Sequence, residues 1–120
     1  MADRMLFISW GANVAGREER GLEVFNEAVG MYGRMQQEGR IEGFDVALMA
    51  PNATLEGYMS IKGSAEQLAA LREDEEYLRN MADASLIVKD LAVSEGFANE
   101  GVAKMIGIYQ EAIGKVPQHA

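Results

Sequence analysis

Residues 5 to 10 read Met-Leu-Phe-Ile-Ser-Trp, and both alternating sets of this run carry large apolar side chains. In an extended strand Leu6, Ile8 and Trp10 face one side, while Met5, Phe7 and Ser9 face the other. Neither set is polar enough to be left in water, so this strand must be central in its sheet and covered on both faces. The question is where a chain of 120 residues finds the two covering layers.

The rest of the pattern supplies one of them. From about Arg17 to Glu38, Leu22, Phe25, Val29 and Tyr32 recur at helical spacing beside a second stripe of Val24, Ala28, Met31 and Met35, and Gly39 stands where a helix-ending glycine belongs. Arg40 to Met49 alternates Phe44, Val46 and Leu48 against Asp45, Ala47 and Met49, and the turn residues of "APNAT" join it as a hairpin to a strand over Leu55 to Lys62. "GSAEQ" at 63 to 67 is a helix start, with Ser64 and Gln67 spaced for a reciprocal cap. Leu68, Leu71, Tyr77, Leu78 and Met81 mark its buried side, with a break expected between Glu73 and Glu76. The alternation of Leu86, Val88 and Asp90 with Ile87, Lys89 and Leu91 predicts a fourth strand over 86–93. Asn99 is placed to cap a last helix carrying Val102, Met105, Ile106, Tyr109, Ala112, Ile113 and Val116 on one stripe.

The order is therefore βαββαβ plus a C-terminal helix, an α+β ferredoxin-like arrangement with a four-stranded antiparallel sheet and helices on one face. The expected organisation is a single domain over 1–120, with its core at about 4–94 and the extra helix at about 99–116. A second copy of the same sheet is the simplest cover for the remaining face, because a self-complementary two-fold interface needs no other partner. A homodimer through the sheet face is the expectation.

In order and spacing, the segments "MQQEGRIEGFDVALM", "LEGYMSIKGSAEQLAAL" and "YLRNMADASLIVKDLAV" resemble the dimeric α/β-barrel superfamily of ferredoxin-like proteins over about residues 4 to 94. Its members include cofactor-independent monooxygenases, small isomerases, haem peroxidases and uncharacterised proteins, so the resemblance implies a dimeric fold without choosing a reaction.

Composition removes several alternatives. The absence of cysteine excludes thiolate chemistry, disulfides and zinc-thiolate sites, and fits a reducing compartment. A net charge of −8 opposes nucleic acid and anionic membrane surfaces. The short apolar run near the N-terminus is neither a signal core nor a span, which makes a cytoplasmic location the default. "GANVAGRE" spaces two glycines as a phosphate loop does, but Arg17 and Glu18 stand where lysine and serine or threonine would hold the phosphates. The sole histidine, His119, is one residue from the chain end, so no haem ligand, serine–histidine pair or histidine metal site is expected. The acidic run "EDEE" lacks the spacing of a calcium loop. No cofactor and no metal are expected.

What remains are polar and aromatic residues on apolar strands: Trp10, Asp45, Tyr58, Ser60, Lys62, Lys89 and Asp90. The candidate ligand site takes Trp10 and Tyr58 as walls of a cavity, Asp45 as its polar group and Asn13 at its mouth. The competing reading pairs Asp45 with a lysine at the dimer interface, or leaves it exposed at a sheet edge. Two functions follow from these readings. One is a binder of a small organic molecule, extending to a cofactor-independent enzyme of monooxygenase or isomerase type. The other is a non-catalytic dimeric interaction module.

Overall fold

The computed structural model describes residues 2–117. Its elements are β1 (Arg4–Trp10), α1 (Glu18–Gln37), β2 (Gly43–Leu48), β3 (Gly57–Gly63), α2 (Ala65–Glu73), α3 (Glu75–Ser85), β4 (Ala92–Phe97) and α4 (Glu100–Gly114). The four strands form one antiparallel sheet in the order β2-β3-β1-β4, so the doubly apolar run from Met5 to Trp10 is indeed internal.

Strand alternation and helix period meet on one face of this sheet. Leu6, Ile8, Met59 and Ile61 point to the helices and pack with Ala28, Met31, Tyr32 and Met35 of α1 and with Leu68, Leu71 and Tyr77 of α2 and α3. Each fully buried Leu, Ile or Met in this set contributes about 1.5 to 3 kcal/mol of transfer free energy. The helices start where local chemistry dictates. Ser64 accepts the Gln67 amide while the Gln67 side chain accepts the Ser64 amide, which is the anticipated capping box. Asp74 accepts from the Tyr77 amide, and this cap divides α2 from α3 at the expected break. The β2–β3 connection closes on Asn52, whose side-chain oxygen accepts the amides of Thr54 and Leu55.

Three expectations need correction. The fourth strand runs over Ala92–Phe97 and not 86–93, because the backbone of residues 87–89 pairs instead with the loop after β1: Gly11 donates to Lys89, Lys89 to Ala12 and Val14 to Ile87. The polar "SEGF" run is a strand since β4 lies at a sheet edge, where both faces reach solvent. Asn99 stands at the N-cap position of α4, but its side chain does not cap the helix; it sits at φ 52° and its side-chain amide donates to the Ala2 carbonyl at 2.7 Å. Leu78, expected inside, is exposed.

The sheet face away from the helices carries Met5, Phe7 and Ser9 of β1 beside Tyr58, Ser60 and Lys62 of β3, as the register requires. No helix of the described residues packs there to cover it fully: Met5, Phe7 and Tyr58 are only half-buried. No helix among the described residues is long and apolar enough to cross a membrane.

Candidate functional site

On the helix side, the space between sheet and helices is incompletely filled. A cavity of about 380 Å³ lies between β1, β3, α1 and α3, bordered at its exposed end by Leu22 and Leu48. That volume lies within the range of small-molecule sites. Ile8, Trp10 and Met59 form the sheet wall, Phe25 and Tyr32 the α1 wall, and Met81 and Ala84 the α3 wall. Ile87, Val88 and Leu91 line it from the segment before β4. Trp10 and Phe25 meet edge to face with centroids 6.1 Å apart, which fixes the plane of the indole.

Few polar groups interrupt these walls. Asn80 of α3 is buried and donates to the Val24 carbonyl of α1 at 3.3 Å, linking the two helices beside the cavity. Tyr32 is 1 % exposed, and its hydroxyl has no hydrogen-bond partner among the described residues. Burial, with a smaller contribution from nearby Tyr77, holds the Tyr32 phenol well above its ordinary pKa. The oxygen is itself shut off from solvent, so the ring forms the wall. Asn13 lines the cavity from the loop after β1, which the bridge to Val88 holds against the start of α1. The loop and helix come so close here that a Cβ at Gly21 would lie 2.6 Å from the Asn13 side-chain oxygen.

The expected site residues divide between two faces. Trp10 and Asn13 line the cavity. Tyr58 does not, because β1 pairs with β3 so that Trp10 stands opposite Gly57 and Tyr58 stands opposite Ser9 on the outer face. There Tyr58 packs on Phe7, with ring centroids 5.0 Å apart. Asp45 is on that outer face too, paired across to Ser60 in register. It accepts from Lys62 at 3.0 Å and is 67 % exposed. It is a solvated ion pair within one chain. Tyr32 and Asn80, which border the cavity, are hidden in the sequence because they sit inside helical apolar stripes. Asn80, three residues after Tyr77 on the buried side of α3, was the available signal.

The charge of the lining limits the chemistry. It contains Glu18 and Glu56 and no lysine, arginine or histidine among the described residues. An anionic ligand would meet no compensating charge and two carboxylates near the mouth. The glycine loop has filled its own anion position: the Gly16 amide donates to the Glu18 carboxylate at 2.9 Å. No group of three or more histidine, aspartate or glutamate side chains among the described residues is arranged to hold a metal ion. His119 lies outside the described residues.

No protein-family model matches this sequence, and no curated protein matches it. Solved structures do. A dimeric protein of unknown function and ferredoxin-like fold from Bacteroides fragilis superposes with a TM-score of 0.60 at 13% identity, covering 79% of this chain and 96% of that one. The hydroxynitrile lyase of Passiflora edulis gives 0.62 at 11% identity, covering 83% and 97%. A candidate antibiotic biosynthesis monooxygenase from Chloroflexus aurantiacus gives 0.56 at 11% identity, covering 80% and 93%. At such identities the likeness speaks for architecture alone. The resemblance drawn from the sequence holds at that level, and this chain has the ferredoxin-like fold.

Proposed function

We propose that this protein binds a small, neutral, largely apolar organic molecule in the cavity between the sheet and helices α1 and α3. The observation that carries the reading is the cavity itself: about 380 Å³, walled by aromatic and methionine side chains, with no cation in its lining among the described residues. In this reading Trp10 and Asn13 contact the ligand; Tyr58 belongs to the outer-face contact between two copies, and Asp45, on the edge strand β2 of that face, stays solvated.

The neutral fluorophore N-phenyl-1-naphthylamine tests it, with energy transfer from Trp10, the only tryptophan of the chain, as readout. Binding at micromolar concentration is expected. Ala84→Phe, which fills the cavity from α3, should weaken it at least tenfold while leaving the melting temperature unchanged or raised. Absence of binding, or equal binding by the variant, refutes the proposal.

A cofactor-independent enzyme is the catalytic extension, favoured by the two carboxylates Glu18 and Glu56 in the lining. Two of the structural neighbours are described as a lyase and a candidate monooxygenase. Glu18 is engaged by the Gly16 amide, which leaves Glu56 as the acid–base group for such a reaction. Glu56→Gln should then abolish turnover of a substrate without weakening probe binding. Equal turnover by the variant excludes this role.

The second component is a homodimer through the outer sheet face, supported by half-buried Met5, Phe7 and Tyr58 and by a neighbour described as dimeric. Light scattering should give twice the chain mass of 13.1 kDa. A monomer at micromolar concentration refutes it.

A further inference from the structure

We propose that α4 is a clasp that lays its apolar face on a second copy of this chain. The proposal rests on the homodimer reading and adds to it a surface outside the sheet.

The helix is fixed at its root and little supported beyond it. The Ala98 amide donates to the Asp3 carbonyl at 3.0 Å, and the Asn99 side chain donates to the Ala2 carbonyl at 2.7 Å. Gly101 lies so close to the Asp3 carbonyl that any Cβ would overlap it. These contacts aim the helix from the start of β1. Past them it packs chiefly on β4, and the protein extends to 54 × 37 × 23 Å.

Sidedness shows what the helix requires. At 100° per residue, Val102, Met105, Ile106, Ile108 and Tyr109 fall within an arc of about 160°, while Glu100, Lys104, Glu111 and Lys115 gather on the opposite side. The charges sit at i,i+4 in the favourable order, Glu100 before Lys104 and Glu111 before Lys115, and leave the apolar arc clear. Val102, Ile106, Ile108 and Tyr109 are nevertheless exposed, Tyr109 at 67 %. A 15-residue helix with so little packing is marginal in water, so its stability calls for a partner surface.

Area favours a second copy, and charge disfavours an anionic membrane. The four exposed side chains offer roughly 450 Å² per helix, so two reciprocal arms and the surfaces they cover amount to about 1,800 Å², the size of a stable interface. An anionic membrane is opposed by a chain of net charge −8 whose α4 carries two acidic residues and one basic.

Sedimentation equilibrium tests the clasp on the full chain, its Ile106→Asp/Tyr109→Asp double variant and a polar-side control, Lys104→Gln/Glu111→Gln. Both substituted apolar residues are exposed within the protomer, so circular dichroism of the remaining fold should be unchanged. The expected result is a dimer whose dissociation constant rises at least tenfold in the double variant and less than threefold in the control. Hydrogen exchange adds a readout without substitution: α4 amides should be protected in the dimer and lose that protection on dilution below the dissociation constant. A wild-type dimer unaffected by the double variant overturns the clasp and leaves the sheet-face dimer standing. A wild-type monomer overturns both, and flotation of that monomer with phosphatidylcholine vesicles would assign the apolar face to a lipid surface instead.

Discussion

Trp10 lies over Gly57: a Cβ at position 57 would come within 2.8 Å of the indole Cζ2 atom and 2.7 Å of the Ala47 carbonyl oxygen. The bare backbone of β3 is what lets the indole lie down as a wall of the cavity. Gly57→Ala should displace it at a cost of about 1 to 3 kcal/mol. Because the chain has one tryptophan, the emission spectrum reports the displacement directly as a red shift. An unchanged spectrum and melting temperature would show that Gly57 is not what seats the indole.

Tyr32 gives a prediction of opposite sign. A buried hydroxyl without a partner costs about 1 to 3 kcal/mol, so Tyr32→Phe should be neutral or stabilising at pH 7. The raised phenol pKa adds a pH signature. Folding favours the protonated form, so this contribution is fully present below the unfolded value of 10.0 and is lost as the pH rises beyond it. Urea unfolding at pH 7 and pH 11 should show a smaller alkaline loss for Tyr32→Phe than for the wild type. Destabilisation by more than about 1 kcal/mol at pH 7 would reveal a partner for the hydroxyl.

Gly30 and Gly33 of α1 face open space, and a Cβ added at either would meet nothing within 4 Å. Alanine at each should raise stability by up to about 1 kcal/mol through helix propensity. A loss on either substitution, seen in thermal melts at fixed protein concentration, would mean that another surface approaches α1 at that point.

The Asp45–Lys62 pair is solvated, so Asp45→Asn should change stability by less than about 1 kcal/mol. It should also leave binding of a cavity probe unaltered, since the carboxylate is on the other side of the sheet. A loss of about 3 to 5 kcal/mol, the usual cost of breaking a buried pair, would place Asp45 inside an interface.

The fold was legible wherever one period dominated. The double apolar character of Met5 to Trp10 announced a central strand, and the Ser64–Gln67 cap and the break at Asp74 were written in local chemistry. Residues 86–91 misled because their alternation suits a strand, while their backbone was claimed by the loop at 11–14, a long-range pairing that no local pattern encodes. The cavity lining was half legible for the same reason. Trp10 and Asn13 lie on the cavity, but whether Tyr58 joins them depends on a register that a one-residue shift would reverse.

The alternation that separates Trp10 from Tyr58 also separates two kinds of change. Along β1 and β3, residues of one parity shape the cavity and residues of the other shape the outer face. A substitution at Ile8 or Met59 can therefore alter what fits inside while the outer surface keeps its form, and one at Phe7 or Tyr58 can remodel that surface while the cavity keeps its shape. What the cavity can admit and what the outer face presents can drift independently on one set of strands.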